Sequence, residues 1–175
     1  MTESMRKIGT KEIAVASTLG ALSALSEIMP GPPFDIRFPL IPPPTRVSWD
    51  ITGVPMMVSL LLYGPLCSIL TCLIGCSIIF LRGNIYGGIF KVIAELSTLL
   101  GFAALKKGTV VKTTVATASR VITMTIANYY LLQLFYGMPE PLVLGLLVPL
   151  AVFNATQALI NIVPAYFIWS RIRKP

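Results

Sequence analysis

Histidine is absent from all 175 residues. Its absence excludes Ser-His-Asp and Cys-His catalysis and the usual zinc centres. Charge is also scarce: 12% of residues are charged, against about 25% in an ordinary globular chain. Cysteine is limited to Cys67, Cys72 and Cys76, all inside one apolar segment, and an odd number of buried thiols gives no disulfide framework. Cys72 and Cys76 fall on one helical face, which suits either a soft-metal pair or small residues at a helix contact. No Walker A sequence is present, so an ATP-driven step requires another polypeptide. Without a metal-ligand cluster or a nucleophile–base pair, an enzyme is the poorest reading.

What remains is apolar length. Hydrophobic residues make up 55% of the chain and the mean hydropathy is +0.80. Several runs reach or approach the roughly 20 residues a helix needs to cross the hydrocarbon core, and β-barrel alternation is missing. Residues 1–175 therefore read as a single all-α membrane domain, a compact bundle of six transmembrane helices. The expected helices run from about Lys11 to Met29, Asp50 to Tyr63, Pro65 to Leu81, Tyr86 to Leu105, Thr113 to Tyr136 and Leu142 to Ile172. Between the first two lies a loop from Pro30 to Pro44 whose seven prolines forbid regular helix. Gly64-Pro65 is the boundary that could instead be a kink.

The net charge of +7 does not suggest nucleic acid, because the basic residues sit at segment ends. No small-x-small cleavage site precedes the Pro-rich loop, so the first segment reads as a retained helix. With the N-terminus inside, Arg6, Lys7, Lys11, Lys106, Lys107, Lys112, Arg171, Arg173 and Lys174 fall on one side, against Arg37, Arg46 and Arg82 on the other. That asymmetry predicts cytoplasmic termini in a cell membrane, with the Pro-rich loop outward like a gate. Five spans would place the last basic cluster outside.

Polar residues inside apolar runs should face protein, water or a ligand. In helix one, Ala16, Gly20 and Ala24 form a small-residue face for close helix approach, within the chain or to a partner. In helix four, Lys91 and Glu95 stand at i, i+4, where they can pair with each other or touch a ligand. In helix five, Asn128 lies two turns from Arg120, and in helix six Asn154, Gln157 and Asn161 share a face. Such amides can bond a heterocycle that alternates carbonyl and N–H groups or serve as helix–helix glue. Where the outer loop meets helix two, Asp50 or Thr52 can cap the helix. Trp49 beside them suits an interfacial belt or stacking on a flat ligand.

The segments Trp49-Asp50-Ile-Thr-Gly-Val-Pro55, Tyr63-Gly-Pro65, Ala94-Glu95-Leu, Arg120-Val-Ile-Thr-Met-Thr-Ile-Ala-Asn128-Tyr-Tyr, Tyr136-Gly137 and Phe153-Asn154-Ala-Thr-Gln157 follow in order through nearly the whole chain. Together they resemble the substrate-binding S components of energy-coupling factor (ECF) transporters, most closely the riboflavin-type members. The resemblance implies a six-helix bundle that captures a vitamin from outside without a cofactor of its own. It also implies a membrane-embedded T component and two cytoplasmic ATPases as partners. Asn128, Asn154 and Gln157 would bond the flavin ring or its ribityl chain, and the Ala16, Gly20, Ala24 face would dock the T component. Trp49, Asp50, Thr52, Lys91 and Glu95 complete the expected binding set. Three positions depart from the riboflavin-type pattern: Gln157 replaces a lysine, Gly53 an acid and Thr98 an asparagine. Riboflavin is thus the first substrate expected, with another vitamin or a flavin precursor as the alternative. A stand-alone carrier coupled to ions through Lys91, Glu95 and Arg120 is the other class, but no internal repeat favours it.

The purified chain is expected to bind a flavin-like ligand and to release no phosphate from ATP. Asn128→Leu should weaken that binding while leaving the protein folded; unchanged affinity in a ligand titration would remove Asn128 from the site.

Overall fold

The computed structural model describes residues 9–29, 35–39 and 47–173, and Gly64-Pro65 settles its helix count. Gly64 stands at φ +90°, where glycine alone meets little steric cost. Pro65 then opens a new helix at its first position, where the missing N–H is no loss. α2 (Gly53–Tyr63) and α3 (Pro65–Leu81) fold back on each other rather than forming one kinked rod. The reversal is fastened from inside: Thr71 Oγ1 donates to Ser59 Oγ at 2.9 Å, and Ser59 Oγ to Cys67 Sγ at 3.2 Å.

With α1 (Thr10–Ile28), α4 (Ile85–Ala103), α5 (Thr109–Tyr136) and α6 (Glu140–Ile172), the described residues contain six helices. The side chain of Asn84 starts α4 by accepting from Gly87 N at 3.0 Å. Gly137, at φ +61°, ends α5 with its N–H on the Gln133 carbonyl, and the Met138 N–H reaches Leu132 O. α5 begins one turn earlier than the sequence suggests, at Thr109 rather than Thr113.

α4 and α6 are long and apolar enough to cross a bilayer, whereas α2 and α3 are shorter. α2, with 11 residues, spans only about 16 Å. It need not cross alone, because it forms the centre of the bundle. Pro55 through Leu60 are buried, packed by α1, α3, α4 and α6. Cys72 and Cys76 belong to that same core, beside Met56 and Met57. Among the described residues no His, Cys, Asp or Glu group is placed to hold a metal.

Two three-residue strands, β1 (Asp35–Arg37) and β2 (Ser48–Asp50), pair antiparallel with Ile36 opposite Trp49. This corrects the expected start of helix two: Asp50 ends a strand and the helix begins at Gly53. The reason is tertiary, since Phe38 packs edge-on to Trp49 at 5.0 Å and against Phe153 at 5.5 Å. Residues 30–34 and 40–44 of the Pro-rich loop lie outside the described residues, as do Arg6, Lys7, Arg46 and Lys174. Of the described basic residues, Lys11, Lys106, Lys107, Lys112, Arg171 and Arg173 stand at the end opposite the hairpin. Arg37 and Arg82 stand at the hairpin end.

The small-residue face of α1 is spent largely within the chain. Ala16 and Gly20 are buried, and a Cβ on Gly20 would come 2.7 Å from Cβ of Ile74 in α3. On the facing side, a Cβ on Gly75 would meet Ser23 Oγ at 2.5 Å. Ala24 is half-buried. Of the positions expected to dock a partner, Gly20 is thus packed against α3 and Ala16 is buried within the chain.

Gly20→Val should force α1 and α3 apart and cost roughly 1–3 kcal/mol, the usual range for overpacking. A thermal unfolding midpoint in detergent equal to that of the parent chain would contradict this contact.

Candidate functional site

Each charged residue in the apolar interior needs a partner, because an unpaired buried ion costs several kcal/mol. At the hairpin end these demands converge. Arg120 of α5 and Glu95 of α4, each about 2% exposed, pair at 3.0 Å through Nη1 and Oε1. The same Nη1 donates to Thr98 Oγ1 at 3.1 Å, and Nε donates to Asn154 Oδ1 on α6 at 3.2 Å. Nη2 has no hydrogen-bond partner among the described residues. Glu95 Oε2 accepts from Asn161 Nδ2 at 2.9 Å. Gln157 Nε2 then donates to Asn161 Oδ1 at 3.0 Å.

From Gln157 the network reaches the hairpin. Gln157 Nε2 donates to the Asp50 carbonyl at 2.7 Å, and Asp50 N–H donates to Gln157 Oε1 at 3.2 Å. One side-chain amide thus pairs with both backbone groups of one residue, as a neighbouring strand would. Asp50 Oδ2 accepts from Lys91 Nζ at 2.5 Å, and Lys91 also lies 3.7 Å from Glu27 Oε2. Thr52 joins both acids, its N–H on Asp50 Oδ1 at 2.9 Å and its hydroxyl on Glu27 Oε2 at 3.1 Å. Burial alone would raise the Asp50 pKa. The adjacent Lys91 ammonium and the Thr52 hydrogen bonds outweigh it and hold the carboxyl below its usual range.

These contacts correct the local Lys91–Glu95 pair. Lys91 turns to Asp50 and Glu27, while Glu95, one turn deeper, turns to Arg120 and Asn161. Both find opposite charge on other elements at hydrogen-bonding range, where the pairing also ties helices together.

Between the two charge groups lies a cavity of about 180 Å³, bounded by Glu27, Asp50, Lys91, Arg120, Phe153 and Asn154. Of the residues expected from sequence, Asp50, Lys91 and Asn154 therefore line it. Thr52, Glu95 and Gln157 stand behind the wall and hold it in place. Trp49 does not face the cavity: its indole N–H donates to Thr156 Oγ1 at 2.9 Å, and its ring packs on Phe38. Asn128 is buried but does not line the cavity, and its Nδ2 has no partner among the described residues. Sequence reasoning missed Glu27. The signal was there: a carboxylate near the hairpin end of an otherwise apolar helix, one residue after Ser26.

Comparison with known proteins fits this architecture. The family described as "ECF transporter, substrate-specific component" matches residues 11–169. A solved structure described as the S component of a bacterial ECF transporter superposes with a TM-score of 0.77 at 20% identity. That alignment covers 93% of this chain and 95% of the other, and at that identity the likeness speaks for the fold. No curated protein matches the chain. Because the family match spans all six helices and the charged cavity between them, the chain belongs to the substrate-specific components of ECF transporters, membrane subunits that bind a substrate for transport and are not enzymes.

Proposed function

We propose that this chain captures a small, neutral, hydrogen-bond-rich vitamin at its hairpin end, with riboflavin the first compound to test. The observation that carries the reading is the cavity between Asn154 and Arg120 on one side and the Asp50–Lys91 pair on the other. It offers amide donors and acceptors, the uncommitted Nη2 of Arg120, and the faces of Phe90 and Phe153 as apolar walls. Of its wall cations, Arg120 is neutralised by Glu95 and Lys91 pairs with Asp50, so an uncharged ligand leaves both ion pairs undisturbed.

Size supports a second, narrower reading. The cavity of about 180 Å³ lies below the roughly 300–1,000 Å³ typical of sites for drug-sized ligands. Riboflavin would need the hairpin lifted from α6, breaking the Gln157–Asp50 pair. A flavin precursor or a smaller heterocyclic vitamin needs less. The ion-coupled carrier has less support, because Glu95 and Arg120 neutralise each other in the interior.

Delivery would follow the family's plan, with a T component and two cytoplasmic ATPases supplying the energy in the cell membrane, and with both termini cytoplasmic. Since Ala16 and Gly20 are buried within the chain, the T component would meet the remaining face of α1, including Ala14, Thr18 and Ala21. That face borders an apolar groove of about 470 Å³ between α1, α2 and α6.

Tryptophan-fluorescence titration in detergent separates the substrates. Saturable quenching by nanomolar riboflavin supports the first reading; silence with riboflavin but saturation by a smaller vitamin supports the second. Asn154→Leu should weaken whichever ligand binds by about tenfold, the equivalent of one lost hydrogen bond of ~1.4 kcal/mol. An unaltered dissociation constant in a folded variant would remove Asn154 from the contact surface.

A further inference from the structure

A second recess lies at the other end of the bundle, remote from the vitamin cavity. It measures about 350 Å³ and sits between the Gly64-Pro65 turn, the α4–α5 connection and the end of α6. We propose that it binds the phosphate of an anionic phospholipid headgroup. Three independent features point to a bound anion. Lys107 and Lys112 line the recess, and no carboxylate does. The N-terminus of α5, a helix of 28 residues, opens onto it at Gly108 and Thr109 without a side-chain cap. Its first N–H groups and its dipole therefore favour negative charge. Finally, Trp169 lines the same recess, and its buried Nε1–H has no acceptor among the described residues.

The surroundings identify the anion as part of a lipid. Leu60, Leu61 and Phe102 give the recess an apolar side suited to glycerol and the upper acyl chains. Tyr166 and Trp169 pack at 5.3 Å, an aromatic pair of the kind that sits at headgroup level. The Arg173 guanidinium lies 5.2 Å over the Trp169 ring and the Lys112 ammonium 5.5 Å over Phe102. Lys112 is thus held in the recess wall, with Arg173 over the outer face of Trp169. Lys106 and Arg171 add positive charge at the same end of the bundle. Basic pockets between membrane helices on the cytoplasmic side are suited to anionic headgroups, and the charge asymmetry puts this end at that leaflet.

Native mass spectrometry of the full chain in neutral detergent tests the assignment, titrating phosphatidylglycerol and phosphatidylcholine separately. One phosphatidylglycerol should be retained in preference to phosphatidylcholine. The double variant Lys107→Gln/Lys112→Gln should lose about thirtyfold in affinity for it, the loss expected from two headgroup-level cations. Trp169→Phe keeps the ring but deletes the donor, and should weaken retention severalfold even if the double variant does not fold. Equal retention of the two lipids would overturn the proposal, as would unchanged preference in both variants. Displacement of the lipid by equimolar inorganic phosphate would make this a site for free anions and overturn the lipid assignment.

Discussion

The Arg120–Glu95 pair is the constraint around which the bundle is arranged. Two ions in an apolar interior are tolerated only when their remaining donors and lone pairs are also met. Here that requirement recruits Thr98 on α4, Asn154 on α6 and Asn161 about two turns further along α6. α4, α5 and α6 are thereby fixed in register by polar geometry, which apolar packing in lipid does not specify well. The pair also shapes α2. A Cβ on Gly53 would lie 2.0 Å from Asn161 Nδ2 and 2.5 Å from Glu95 Oε2, so the first residue of the central helix has no room for a side chain. Gly53, Glu95, Asn161 and Gln157 thus form a single chain of contacts.

Inner and outer charges differ in what they permit. Arg120 and Glu95 are about 2% exposed, whereas the Lys91 and Glu27 side chains are 13% and 24% exposed. Water screens the outer group and lowers the cost of separating it. The hairpin is held by that outer group, by the Gln157 amide, by the Trp49–Thr156 hydrogen bond and by Phe38 packed on Phe153, so lifting it breaks these contacts while the Arg120–Glu95 pair stays intact. A rigid floor under a releasable cover is what a capture site requires, since ligand must enter without unfolding the helices that recognise it.

How much of this was legible in the sequence follows from where the information is local. Helix limits were readable within about a turn, because Gly64-Pro65, Asn84 and Gly137 act on their own neighbours. The polar residues in apolar runs marked the interior for the same reason. Their partners could not be read: the i, i+4 spacing of Lys91 and Glu95 describes one helix, while the counter-charges come from β2, α1 and α5. The strands were invisible because three residues carry no usable periodicity and are held by Phe153 and Gln157, more than a hundred positions away. Small residues on α1 signalled a close helix contact correctly but could not say with which helix, and α3 is the helix that fills Gly20.

The position of Gln157 bears most directly on how the cover is held. A lysine there could donate but could not also accept, so it could not meet both backbone groups of Asp50. Glutamine does both, pairing with the Asp50 carbonyl and N–H, and in doing so turns from the ligand to the backbone of the cover. The cavity wall is left to Asn154, to the free edge of Arg120 and to the Asp50–Lys91 pair, which bound about 180 Å³. Gln157 therefore serves the cover and not the wall: from behind the cavity its amide holds the hairpin to α6.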